Sequence, residues 1–174
     1  MNYNNKTNIK NGIYQSDTNQ ILFDMDQGVF RIDTPFTIGT TVRSGKVVDI
    51  RNFELTQVNN EGMIALSSLD KIELEKASKI LLIVATDARN TGMILSHDER
   101  TLVELGTLPV LIKEINFKLS FPSTDKWKLS RLKLNGDINE TMVIAPSEGS
   151  VSFEINNLSD KYGATTYFLL EKFE

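Results

Sequence analysis

Three aspartates, Asp24, Asp26 and Asp33, surround a short acidic turn in the segment SDTNQILFDMDQGVFRIDTP, residues 16–35. Hard carboxylate oxygens grouped in this way could hold a structural calcium ion, a common staple in β-sandwiches. The same residues are ordinary turn formers, and the spacing lacks the acidic tail of an EF-hand. Turn chemistry is the preferred reading, and a calcium site at Asp24, Asp26 and Asp33 is the metal alternative.

Other chemistry is thinner. His97 is the single histidine and cysteine is absent, so neither a thiolate or histidine zinc site nor a Cys–His pair can be assembled. No G-x-S-x-G elbow occurs. His97, beside Asp98 and Glu99, reads as a solvated surface group. With 23 acidic residues some carboxylate pair is always available, but no spacing marks one out for glycoside hydrolysis. Glu154 alternates outward from Val151, Phe153 and Ile155. No catalytic residue is assigned.

Aromatic faces are a different resource, because they stack on the C–H faces of sugar rings. Trp127, flanked by Lys126 and Lys128, and Tyr14, Tyr162 and Tyr167 could form such a platform; the alternative for Trp127 is a place in the core. Arg89 and Asn90 could hydrogen-bond sugar hydroxyls or tie a loop to its own backbone. Phe23, Phe30, Phe53, Phe117 and Phe153 fall on inward strand positions and are expected in the core.

The elements that must position these groups are strands. Ile21, Phe23 and Met25 alternate against Phe30 and Ile32, which predicts a hairpin pairing Phe23 with Phe30, with Asp26-Gln27 at the turn and Gly28 supplying a positive φ. Thr34-Pro35 ends it. KILLIVA, residues 79–85, predicts a central strand buried on both faces. A helical turn is expected over residues 72–76, with Asp70 as its N-cap. Residues 87–106 have little period and many polar groups, and read as a long irregular loop. Strand patterns resume at residues 110–112 and 115–119, through 127–134 and the turn pair Asn135-Gly136, to 165–170. Strands punctuated every 8–12 residues predict an all-β, antiparallel β-sandwich (jelly-roll-like) of one domain.

Bulk properties agree. At 174 residues the chain fits one domain, and 40% hydrophobic residues suffice for a core. A net charge of −4 with scattered Lys and Arg speaks against a nucleic-acid partner. No run reaches the length of a transmembrane helix, and the Asn- and Lys-rich start lacks the apolar region of a signal peptide. Residues 1–12 are expected to be a flexible N-terminal linker and residues 13–174 the module.

From the hairpin onward the chain resembles the non-catalytic β-sandwich module at the C-terminal side of many large bacterial glycoside hydrolases. The resemblance is carried by QILFDMDQGVFRIDTPFTIGTTV (20–42), GMIALSSLDKIELEKASKILLIVATDARNTGM (62–93) and LGTLPVLIKEINFKLSF (105–121). Phe23 stands where the family often has tryptophan, and Phe36 where it has a basic residue. The resemblance implies a carbohydrate-binding accessory domain of a secreted protein. Its partners would be a polysaccharide or oligosaccharide and the catalytic domain of a parent protein, with no cofactor. A purely structural module that packs against that catalytic domain is the alternative.

Overall fold

The computed structural model describes residues 5–173. In chain order its strands are β1 (Ile13–Gln15), β2 (Ile21–Asp24), β3 (Val29–Asp33), β4 (Thr37–Val42), β5 (Val48–Ile50), β6 (Phe53–Thr56), β7 (Gly62–Ser68) and β8 (Lys79–Ala85). There follow the short β9 (Ala88–Thr91), β10 (Ile94–Leu95), β11 (Leu102–Glu104) and β12 (Thr107–Ile112). The chain continues with β13 (Asn116–Pro122), β14 (Lys126–Leu132), β15 (Ile138–Ile144), β16 (Ser150–Asn156), β17 (Leu158–Ser159), β18 (Gly163–Ala164) and β19 (Tyr167–Phe173). Helix among the described residues is confined to two 3₁₀ turns, Ile9–Asn11 and Leu74–Lys76.

Two antiparallel sheets make a sandwich. The larger has nine strands in the order β1-β2-β3-β4-β7-β8-β19-β14-β15, and the smaller has four in the order β16-β13-β6-β5. Alternation along each strand decides what lies between them. Ile38, Ile64, Leu66, Leu82, Val84 and Leu170 of the large sheet meet Phe53, Leu55, Phe117, Leu119 and Phe153 of the small one in a single buried cluster. Phe121 stands at the seam, 5.2 Å from Phe53 and 5.1 Å from Trp127, the second pair nearly perpendicular at 88°. Edge-to-face rings of this kind lock two layers as well as fill them.

One charge is built into this interior. Arg131, 7% exposed, follows Trp127 and Leu129 on the inner side of β14, with its guanidinium carbon 5.2 Å from the centre of the Phe168 ring. Its Nη1 donates to the carbonyls of Asn157 (3.0 Å) and Gly163 (3.3 Å), and its Nη2 to those of Leu158 (3.2 Å) and Asn156. Burial pulls the guanidinium below its ordinary pKa, and nearby Glu140 opposes the shift. Arg131 thereby ties the irregular 156–163 segment to the large sheet. Asn157, fully buried, completes the join through Ile115 N and Lys113 O.

The expected hairpin is present in its expected register, Phe23 opposite Phe30 and Ile21 opposite Ile32, with Gly28 at φ +59°. A side chain at Gly28 would also collide with the Arg43 guanidinium. From residue 5 the segment expected as a linker bonds to β1: Asn5 Nδ2 donates to Gln15 O at 3.3 Å, and Asn8 bridges Ile13. Residues 1–4 lie outside the described residues.

Four expectations are corrected. Phe23 is 40% exposed and Phe30 half-buried, not core, because the register puts both on the face turned away from the small sheet, in line with Ile32 and Gly39 rather than with the core residue Ile38. The hairpin lies past the margin of the small sheet. Strand β8 is buried on one face only, with Leu81 and Ile83 half-buried on the other. Residues 87–106 are not an irregular loop: together with residues up to 112 they form two ribbons, β9 with β12 and β10 with β11. Strands of two to six residues with register shifts are too short to show a period. Asp70 does not cap the helical turn, whose N-cap position is Glu73.

Asp70 instead accepts hydrogen bonds from Ser78 N and Oγ (2.7 Å each), Ser68 Oγ (2.9 Å) and Lys79 N (3.2 Å), pinning the start of β8. Burial works to raise its pKa, but these donors together outweigh it and lower the carboxyl to about 2. Since the folded value lies below the unfolded one, the stability it lends is complete above about pH 4 and fades as pH falls towards 2. Asp70→Ala is expected to cost about 1–2 kcal/mol at pH 7 in urea unfolding, with the difference from wild type shrinking at pH 2.5. A cost independent of pH would refute this role.

Candidate functional site

Residues directly opposite in an antiparallel sheet share a face, so the registers show what the large sheet presents away from the small one. One row runs Tyr14, Phe23, Phe30 across β1, β2 and β3, with Met63 and Ala85 paired further on. The next runs Ile21, Ile32, Gly39, Ala65, Ile83, Tyr167 across six strands. A third holds Thr37, Ser67, Leu81, Leu169 and Ser130. Beyond them Glu171 is held between Lys79 (3.1 Å) and Lys128 (2.9 Å), and the Lys128 hydrogen bond is the chief cause of its lowered pKa.

This face is the candidate site. Tyr14 (41%) and Phe23 (40%) are among its most exposed rings, and Phe23 meets Phe30 edge to face at 6.4 Å. Small residues interrupt the second row: a side chain at Gly39 would stand 3.0 Å from the Ala65 Cβ. Bulk at Ile32 and Phe30 on one side and at Ile83 and Tyr167 on the other therefore borders a shallow trough. With strands about 4.8 Å apart, it is about 14 Å from β3 to β8. Thr37 Oγ1 and Ser67 Oγ, 2.8 Å apart, bring hydroxyls to its side. Apolar rims with a few polar groups suit a ligand having both apolar and hydroxylated faces.

The proposed sugar-contact residues are dispersed. Tyr14 and Tyr167 do share this face, six strands or about 29 Å apart, so they reach different parts of any ligand. Tyr162 lies half-buried between β17 and β18, with Lys161 Nζ 4.8 Å from its ring centre. Arg89 pairs with Asp87 (2.8 Å) and Glu99 (3.0 Å), which raises its pKa, and Asn90 Nδ2 donates to Leu105 O. Both side chains tie β9 to the segments beside it, Arg89 to Asp87 and Glu99 and Asn90 to Leu105. Of the two uses the sequence leaves open for Arg89 and Asn90, these bonds are the ties to the loop.

Trp127 is corrected too. It is 3% exposed against Phe121, with Nε1 donating to Ser123 Oγ at 2.9 Å. The flanking lysines point to the opposite side of β14, as alternation requires. The calcium alternative finds no geometric support: no group of three His, Asp or Glu residues able to hold a metal occurs among the described residues. Asp24 Oδ1 accepts from Gln27 N in the turn, and Asp33 is held by Arg31 and by Arg51 of the small sheet. The sequence reading missed Phe23 and Phe30 as surface rings. Their pairing was legible, but which face of the sheet the second layer covers was not.

Burial and the edge-to-face contact with Phe121 make Trp127 a stability residue. Trp127→Ala should lower unfolding free energy by about 3–5 kcal/mol, and the wild-type indole, the only one in the chain, should resist iodide quenching. Quenching as efficient as that of free tryptophan would return it to the surface. No protein-family model matches the chain, and no curated protein or solved structure is detectably similar to it.

Proposed function

We propose that this is a non-catalytic accessory module that binds polysaccharide on the outer face of its large sheet, as part of a larger secreted carbohydrate-active protein. The carrying observation is the uncovered row Tyr14, Phe23, Phe30 beside the Gly39–Ala65 trough. Exposed rings ordered by a sheet lose little conformational entropy on contact and offer apolar faces for pyranose C–H groups. The resemblance to the glycoside hydrolase module supports the same reading.

A second reading has its own observation. The β9–β12 and β10–β11 ribbons expose Ile94, Leu102, Val103, Leu105, Leu108 and Leu111, with Leu108 81% exposed. None of these is aromatic. An ordered apolar projection of this kind suits packing against a neighbouring domain, the catalytic one in the structural alternative.

The isolated module is expected to be retarded in affinity gels containing soluble polysaccharide, and Phe23→Ala or Tyr14→Ala to weaken that retardation about three- to tenfold with unfolding unchanged. Free migration across a panel of plant and microbial polysaccharides would remove the binding reading. For the projection, the double variant Leu105→Ser, Leu108→Ser should shift stability by less than about 0.5 kcal/mol per site while reducing binding of a fluorescent apolar dye. A large loss of stability would show that these leucines serve the module's own core.

A further inference from the structure

The chain carries three Asn-x-Ser/Thr triplets, the acceptor pattern of N-linked glycosylation: Asn5-Lys6-Thr7, Asn139-Glu140-Thr141 and Asn157-Leu158-Ser159. The fold treats them differently. Asn157 is fully buried, its amide accepting from Ile115 N and donating to Lys113 O. Asn5 Nδ2 donates to the carbonyls of Gln15 and Ser16, and Thr7 Oγ1 both donates to and accepts from the Gln15 main chain. That triplet is the clasp that holds the start of the described chain to β1.

Asn139 stands apart. Strand β15 ends the large sheet and pairs only with β14. The register shifts there, with Arg131 opposite Glu140 and Leu132 opposite Ile138, so Asn139 has no partner across the ladder and forms a bulge. Its side chain is partly exposed and makes no hydrogen bond among the described residues, which leaves Nδ2 free. Thr141 is exposed, with Oγ1 3.1 Å from Ser130 Oγ. Asp137, two residues before Asn139, is exposed in the turn between β14 and β15. Residues 137–141, Asp-Ile-Asn-Glu-Thr, thus meet the narrower pattern of bacterial oligosaccharyltransferases, which take an acidic residue at that place. Tyr3 and Ile155 occupy it in the other two triplets.

We infer that Asn139 is an acceptor for an N-linked oligosaccharide. An acceptor on a folded protein has to leave its ladder to fit a transferase, and a bulge on an edge strand beside a turn opens more readily than an interior strand. The co-reactant is an oligosaccharide carried on a polyprenyl pyrophosphate. The bond from its anomeric C1 to the pyrophosphate oxygen breaks and C1 bonds to Asn139 Nδ2. The amide nitrogen gives up one proton, and the polyprenyl pyrophosphate leaves with the bonding electron pair. Such donors are used on the exported side of a membrane, so the inference rests on the secreted part of the proposed function. Strand β15 lies six strand spacings, about 29 Å, from β3. A glycan there leaves the Tyr14, Phe23, Phe30 row uncovered and adds bulk to the unpaired edge.

The test incubates the folded full chain with a purified bacterial oligosaccharyltransferase and a short polyprenyl-pyrophosphate oligosaccharide, beside a synthetic peptide of residues 135–143. Intact mass should rise by one oligosaccharide, and peptide mapping should place it on Asn139. Asn139→Gln and Thr141→Val should abolish the gain, and Asn5→Gln should leave it unchanged. Asp137→Asn should slow transfer by about tenfold or more, as expected where an enzyme subsite is built for a charge. No gain on the protein, whether or not the peptide is modified, would overturn the inference. So would a glycan on Asn5, or transfer that appears only once the chain is unfolded in urea. Because transferase and donor are supplied, a failure here counts against the acceptor and not against export or polysaccharide binding.

Discussion

A four-stranded sheet laid against one face of a nine-stranded one leaves the other face without a lid, and that one-sidedness governs which apolar residues are core. Where the layers overlap, Phe53, Phe121, Phe153 and Trp127 interlock and water is excluded. On the opposite face of the large sheet, residues of the same chemical type, Phe23, Phe30 and Ile21, stand at a surface. Burial of apolar area drives the closure at about 25 cal/mol per Å², but only inside the overlap does the chain collect it. The Arg51–Asp33–Arg31 group links the uncovered hairpin to the edge of the small sheet, so the overhang is held in place by charge as well as by its ladder.

Period-two alternation made the strands readable, and turn residues made the hairpin register and the Asn135-Gly136 reversal readable. Alternation shows that two residues share a face; it carries no information on whether another layer covers it. That is why Phe23 and Phe30 were paired correctly and buried incorrectly. Trp127 failed in the opposite sense: lysines on both sides suggested exposure, though neighbours in a strand face opposite ways. The ribbons of residues 88–112 escaped because they depend on side-chain ties such as Thr91 Oγ1 to Pro109 O and Asn90 Nδ2 to Leu105 O, which leave no periodic trace.

Arg131 shows the same limit from the side of polarity. Its place in the alternation put it inward, beside Trp127 and Leu129, where an arginine is costly unless every donor is met. The partners are carbonyls of an irregular segment some 25–32 residues later in the chain, and nothing local announces them. Once there, the guanidinium organises that segment and forms part of the inter-sheet cavity.

The placement of β19 has a kinetic consequence. It lies between β8 and β14 in the middle of the large sheet, yet follows β8 by about 80 residues. Contacts so distant in sequence pay their loop-closure entropy before they return any energy, which slows folding towards the millisecond-to-second range of β-rich topologies. During synthesis the flanks of β8 and β14 stay unpaired until residues 167–173 have left the ribosome. A nascent chain halted short of that point would hold two exposed hydrophobic strand edges, and its need for chaperone protection would end only when the sheet is stitched from the inside.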